Sequence, residues 1–188
     1  MILRQACWLS PRMVSGAQAT RRFFWLRDRE FVLFPIGVGR DWTFAAGISM
    51  GGYGALRLGL SHPDRYAAVA SISGVTDILA RRNAGSTVQG RSATMDAILG
   101  AALAQPDTNA DLFTLASALA SSEQRPKIYQ CCGTEDFLYE ENVKFRDHAK
   151  ELGLDLTYDE TPGSHEWGFW DSKIEPVLAW LKSLLPKS

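Results

Sequence analysis

The stretch Trp42-Thr-Phe-Ala-Ala-Gly-Ile-Ser-Met-Gly-Gly-Tyr-Gly-Ala-Leu56 decides how the chain is read. Trp42–Ala46 is a short apolar run, the pattern of a strand buried on both faces of a parallel sheet. Ala55–Leu60 reads as a short helix that His62-Pro63-Asp64 stops. Between them stands Gly47-Ile48-Ser49-Met50-Gly51, a G-x-S-x-G followed by Gly52. A strand, a glycine turn carrying a serine and a helix form the context of a nucleophile elbow. The reason is steric. The turn strains Ser49, so the residues two before and two after it must be nearly free of side chain. The hydroxyl then stands at the strand end, close to the Met50 N–H and the positive end of the helix. The same glycines also fit a plain strand-to-helix turn or a phosphate cradle. No Walker Lys-Ser/Thr pair follows, however, and no G-x-G-x-x-G is present.

Downstream, strands and helices alternate. Tyr66–Ser73 is small, apolar and uncharged, a second buried strand. Residues 75–126 read as helix and loop, with helical spacing over Ala93–Leu103 and Leu112–Ala120. Lys127–Cys132 is a third strand. Leu138–Leu152 is an amphipathic helix with Gly153 in the C′ position. Leu154–Tyr158 is a fourth strand and Phe169–Leu185 a last helix, in which Pro176 marks a kink or the first turn. Upstream, Phe31–Phe34 is apolar and ends at Pro35, and Gly37 and Gly39 mark a turn. The pattern predicts an α/β fold with a mainly parallel sheet flanked by helices. There is no internal repeat.

Two further segments carry chemistry. Gly133-Thr134-Glu135-Asp136 follows the third strand, where a carboxylate can orient a histidine from the same sheet edge; Asp136 would equally cap the next helix. Pro162-Gly163-Ser164-His165-Glu166-Trp167 follows the fourth strand and offers a histidine on a glycine-flanked loop. His62 reads as a turn residue and His148 as a solvated residue on a helix. Ser49, Asp136 and His165 thus come in the order Ser, Asp, His, each just past a strand, as in α/β-hydrolases. Parallel strands deliver their C-terminal ends to one edge, where distant residues can meet.

Composition excludes other classes. Lys plus Arg is 20 against 21 for Asp plus Glu, so the balance gives no reason to expect nucleic-acid binding. No run of about 18 apolar residues exists, so no membrane span is expected. Three cysteines (Cys7, Cys131, Cys132) make no disulfide framework or zinc pattern. A reducing, cytoplasmic setting is therefore expected, and Cys131 and Cys132 read as strand packing. Residues 1–30 hold six Arg against Asp28 and Glu30. That start resembles a transit peptide, and reads equally as an irregular leader or the stub of a longer chain.

Phe44–Leu56, Cys132–Tyr139 and Pro162–Asp171 resemble the nucleophile, acid and histidine segments of the putative-esterase (esterase D) family, in its tributyrin-esterase-like branch. The match runs from about Phe34 to near the C-terminus. The resemblance implies an α/β-hydrolase fold, no cofactor and no metal. It implies hydrolysis of short-chain acyl esters by Ser49 as nucleophile, His165 as base and Asp136 as its orienting acid. The Met50 N–H is then one oxyanion donor, and Trp167, Phe169 and Trp170 are expected either to wall the alcohol side or to pack the last helix. Thioester hydrolysis, as in S-formylglutathione hydrolases, acyl transfer, and a weakly active remnant acting through association are the alternatives. The family carries a further N-terminal part with the first strands and an oxyanion loop, for which residues 1–33 are too short. A basic segment 1–33 is therefore expected before a catalytic domain 34–188 with a helical insertion at about 75–126, placed as a lobe over the site. No source for the second oxyanion donor is visible. The nucleophile strand is expected to expose an apolar edge, covered by residues 1–33 or by a second copy of the chain in a homo-oligomer.

Overall fold

The computed structural model describes residues 24–25, 31–35, 39–83 and 110–185. A six-stranded sheet runs through them in the sequential order β1 (Phe24–Trp25), β2 (Phe31–Pro35), β3 (Thr43–Ile48), β4 (Ala68–Ile72), β5 (Lys127–Gly133) and β6 (Leu156–Thr161). The strands β3 to β6 are parallel, in the register Ile48, Ile72, Cys131, Asp159. Five helices are described: α1 (Met50–Ser61), α2 (Ile78–Asn83), α3 (Leu112–Leu119), α4 (Tyr139–Glu151) and α5 (Trp167–Ser183).

Parallel neighbours must be joined by crossovers, and a constant right-handed crossover puts consecutive helices on one face. Accordingly α1, α3 and α4 share a face, and α5, which follows the last strand, covers the other. Alternation within each strand supplies both cores. Ala45, Val69, Ile128 and Cys132 meet Leu56 and Leu60 of α1, Leu112 and Leu115 of α3 and Phe145 of α4. Phe44, Ala70, Ile72, Tyr129 and Cys131 meet Phe169, Trp170, Val177 and Leu181 of α5. β3 and β4 carry small residues, Ala45, Ala46 and Gly47 in the one and Ala68, Ala70 and Ser71 in the other, where a helix lies close on each side.

Residues 31–35 occupy the free edge of β3. All five pair antiparallel with it, from Phe31 opposite Gly47 to Pro35 opposite Thr43, and β1 pairs with β2 in turn. The edge is thus covered from within the chain. This strand spans the junction expected at residues 33 and 34.

Several boundaries move for identifiable reasons. Helix α1 begins at Met50 rather than Ala55, so the glycine-dense stretch is helical. Strand β6 begins at Leu156 rather than Leu154. Leu154 belongs to the cap of α4: Gly153 has φ 67°, its N–H donates to Lys150 O at 3.0 Å, and Leu154 N–H donates to Ala149 O at 3.0 Å. That is a Schellman closure, with Leu154 buried beside the helix end. Pro176 lies inside α5 on its exposed face, where water can take up the Ser172 carbonyl. His148 is only half-exposed; its Nε2 lies 3.0 Å from Ser117 Oγ and 3.2 Å from Phe113 O, joining α4 to α3. The helix expected over Ala93–Leu103 lies outside the described residues. No described helix is long and apolar enough to cross a membrane.

One ion pair fastens α5 to β6. The Lys173 ammonium, on a residue only 6% exposed, meets Asp159 Oδ2 at 2.8 Å, and the Tyr129 hydroxyl donates to the same oxygen at 3.1 Å. Breaking a fully buried pair costs about 3–5 kcal/mol because one charge is stranded. Asp159 keeps some contact with solvent, so Asp159→Ala is expected to destabilise by about 2–4 kcal/mol. Combining Lys173→Met with Asp159→Leu should return most of that loss. Urea unfolding of the three proteins checks both statements.

Candidate active site

Ser49 is the residue between β3 and α1, with φ 55° and ψ −117°. This is a sparsely populated conformation for a residue with a side chain, at a cost of about 1–3 kcal/mol, and it persists only where the surroundings over-determine it. They do so here. Ser49 N–H donates to Ile72 O at 2.9 Å, and Ser49 O accepts from Tyr53 N–H and Val75 N–H, each at 3.2 Å. The turn is so tight that a Cβ on Gly47 would overlap the Gly51 carbonyl. Met50 opens α1, and its N–H is among the first N–H groups of the helix, which have no partner within it. It therefore stands beside the serine with its donor available.

Asp136 reaches the same edge from β5. A turn closes through Asp136 N–H to Gly133 O at 3.1 Å, and Oδ1 accepts from Leu138 N–H at 2.9 Å. Its side chain is fully buried. Glu135 is exposed, and its backbone N–H donates to Gly163 O at 3.0 Å. A Cβ on Gly133 would overlap that Gly163 carbonyl, so the acid-bearing and histidine-bearing loops are in backbone contact. Glu166, the N-cap residue of α5, then turns the chain back to the sheet.

His165 joins the two. Its Nδ1 lies 2.9 Å from Asp136 Oδ2 and 3.1 Å from Oδ1, and its Nε2 lies 2.9 Å from Ser49 Oγ. An ionised carboxylate only accepts, so it fixes the proton on Nδ1. Nε2 is then an acceptor, and the serine O–H donates to it. Such an arrangement can remove the serine proton while stabilising the resulting imidazolium.

The three residues expected to meet from the sequence are therefore brought together, with Met50 N–H next to them. The aromatic expectation divides. Phe169 is 5% exposed and packs in the α5 core, against Gly163. Trp170 is also buried, but its ring stands edge-on to His165 with centroids 5.0 Å apart. Trp167 is 63% exposed and packs on Trp170 at 5.1 Å. Sequence reasoning missed Phe137. Its ring is 4.6 Å from that of His165, yet 59% of the residue is exposed. The signal was available: an aromatic directly after the acid, on a strand-end loop. Residues 84–109, most of the segment expected as a helical lobe over the site, lie outside the described residues, and α3 is the described helix near its end. That helix packs on α1 and α4 within the sheet-face core, and Tyr53 O–H donates to Ala110 O just before it.

Cys131 and Cys132 are fully buried, and burial pushes the Cys131 thiol up to about 12 and Cys132 further. Since the thiolate is the nucleophile, neither competes with Ser49. Among the described residues no cluster of His, Cys, Asp or Glu could hold a metal ion.

Comparison with known proteins bears on the family and the fold. The family model described as "Putative esterase" matches residues 32–181. An acetyl esterase of Caldicellulosiruptor saccharolyticus is 32% identical over 158 residues, which cover 81% of this chain and 59% of the relative. Among solved structures, the fluorophosphonate-binding serine hydrolase F of Staphylococcus aureus superposes with a TM-score of 0.66 at 32% identity, covering 79% of this chain and 57% of the other. An S-formylglutathione hydrolase of the same organism gives a TM-score of 0.60 at 26% identity, covering 79% of this chain and 54% of the other. The chain thus spans somewhat over half the length of these relatives. Its parallel sheet, helix layers and family match make it a member of the putative-esterase family of α/β-hydrolase-type proteins.

Proposed function

We propose that this chain carries the catalytic site of a serine carboxylesterase acting on short-chain acyl esters. The observation that carries the reading is the unbroken line from Ser49 Oγ through His165 to the buried Asp136, with 2.9 Å at each junction. The acetyl esterase relative supports the small acyl group. Ser49 attacks the ester carbonyl as its proton passes to His165 Nε2. Asp136 holds the imidazole in the needed tautomer and stabilises its charged form. The oxyanion develops beside the Met50 N–H and the positive end of α1. His165 then gives the proton to the departing alcohol, and water repeats the cycle on the acyl-enzyme. Every step draws on side chains and backbone, and no cofactor enters it.

The alcohol leaves past His165, so groups beside that ring face it. Phe137 and Trp167 are the exposed aromatics there, and we assign them as the apolar wall of the alcohol side. The same triad can turn over a thioester, the activity named for the 26% identical relative. Acyl-group turnover from oxygen and sulfur esters of one acid separates those preferences.

With p-nitrophenyl acetate, Ser49→Ala is expected to fall to the spontaneous rate. Asp136→Asn should lose about 10⁴-fold in kcat because the histidine tautomer is no longer fixed. Equal rates for wild type and Ser49→Ala would refute the reading. Phe137→Ala should cost about 3- to 10-fold in kcat/KM for an aryl ester, the weight of one aromatic contact. It should cost methyl acetate far less. An equal loss on both esters would mean that Phe137 acts through His165 alone.

A further inference from the structure

We infer that Asn142 is a positioning residue that ties the acid-bearing turn to the nucleophile turn and so sets the spacing that His165 must bridge. The inference rests on the esterase reading of Ser49 and goes beyond it by naming what holds that serine in place.

The argument starts from the strained turn. The Ser49 carbonyl is held by Val75 N–H, which lies in the loop after β4. That loop is strained in its own right, because Ser73 has φ 46°. It needs an outside support, and α4 supplies two. Asn142 Nδ2 donates to Gly74 O at 2.9 Å. The neighbouring Glu141 accepts from Thr76 N–H through Oε1 at 2.8 Å. Val75 is thereby held on both sides by consecutive residues of one helix.

The other contacts of Asn142 lead to the acid. Its Nδ2 also donates to Leu138 O at 2.9 Å, and Leu138 N–H donates to Asp136 Oδ1 at 2.9 Å. Its Oδ1 accepts from Gln130 Nε2 of β5 at 2.8 Å. The amide orientation is settled by these partners, since two carbonyls can face only the NH₂ group. Asn142 is fully buried, where each of these bonds is strong and its loss uncompensated by water. One side-chain amide therefore touches the turn of Asp136, strand β5 and the loop that grips Ser49. No other residue type offers two donors and an acceptor at this length without charge. Aspartate would set an acceptor against two carbonyls, and leucine would remove all three side-chain bonds, leaving Leu138 O only the Asn142 N–H and Gln130 Nε2 only the Asn142 carbonyl.

A displaced serine reacts slowly although substrate still binds. Asn142→Asp is expected to lower kcat by about 30- to 100-fold, the scale of a small misplacement of reacting groups. KM should change by less than about threefold. Glu141→Ala should lower kcat in the same sense but less, and Glu141→Gln, which keeps the acceptor for Thr76 N–H, should recover most of it. Hydrogen exchange supplies the readout that does not depend on turnover: the Val75 amide should lose protection at least about tenfold in Asn142→Asp while amides of α5 keep theirs. If Asn142→Asp fails to fold, the Glu141 pair and its Val75 exchange decide the matter. Folded Asn142→Asp or Glu141→Ala with kcat within about twofold of wild type, or with unchanged Val75 exchange, would overturn the inference. A wild-type protein that does not turn over esters would instead refute the esterase reading, and the exchange arm alone would then decide the tether.

Discussion

The arrangement depends on one backbone constraint: a serine held at positive φ between a buried strand and the helix that follows it. Everything near Ser49 follows from that turn. Gly47 must lack a side chain because the Gly51 carbonyl occupies the place of its Cβ. The first turn of α1 is rich in glycine, against its helical propensity, because it presses on the end of β4. Strain of this kind survives only when neighbours hold it, and here they are Ile72, Tyr53 and Val75 through the main chain. Local instability is thus exchanged for a hydroxyl fixed in direction before any substrate arrives.

The parallel sheet turns this local device into a site. β3, β5 and β6 end at the same edge in register, so Ser49, Asp136 and His165 need only short loops to meet. Those loops are not independent. Glu135 N–H bonds Gly163 O, and Gly133 and Gly163 touch, so the acid-bearing and histidine-bearing loops form one linked piece. The nucleophile is joined to that piece from beneath, through the loop after β4. On the proposed esterase reading, preorganisation of this sort is what would let a modest hydroxyl act as a nucleophile, because folding has completed the reorganisation that would slow it in water.

Much of this could be read from the residues, and the exceptions have physical causes. The three candidate residues were legible because each follows a strand with a glycine two or three residues before it, and their order along the chain matched the order of the roles. Strand β6 was read two residues early because Leu154 is apolar for a different reason, as the hydrophobic partner of the helix cap at Gly153. The aromatics after His165 could not be sorted by sequence. Phe169 and Trp170 face the sheet and Trp167 faces solvent, which depends on where the first turn of α5 begins. Phe137 and Asn142 escaped notice because ring contact and buried amide bonds are tertiary facts. Nothing in the periodicity of α4 distinguishes an asparagine that ties three segments from one that faces water. The short strand β2 was visible as the apolar run Phe31–Phe34, and cover of the β3 edge was expected from residues 1–33 or a second copy; the register shows which residues, Phe31–Pro35, provide it.

The central claim is that Ser49 is an activated nucleophile, and its reactivity can be read without knowing the substrate. Treating the folded protein with an alkyl fluorophosphonate and mapping the adduct by peptide mass spectrometry tests it directly. The account predicts a single adduct, on the peptide containing Ser49, formed rapidly in wild type and not detectably in His165→Ala. An unmodified Ser49 in the folded protein, or modification that proceeds equally without His165, would contradict it.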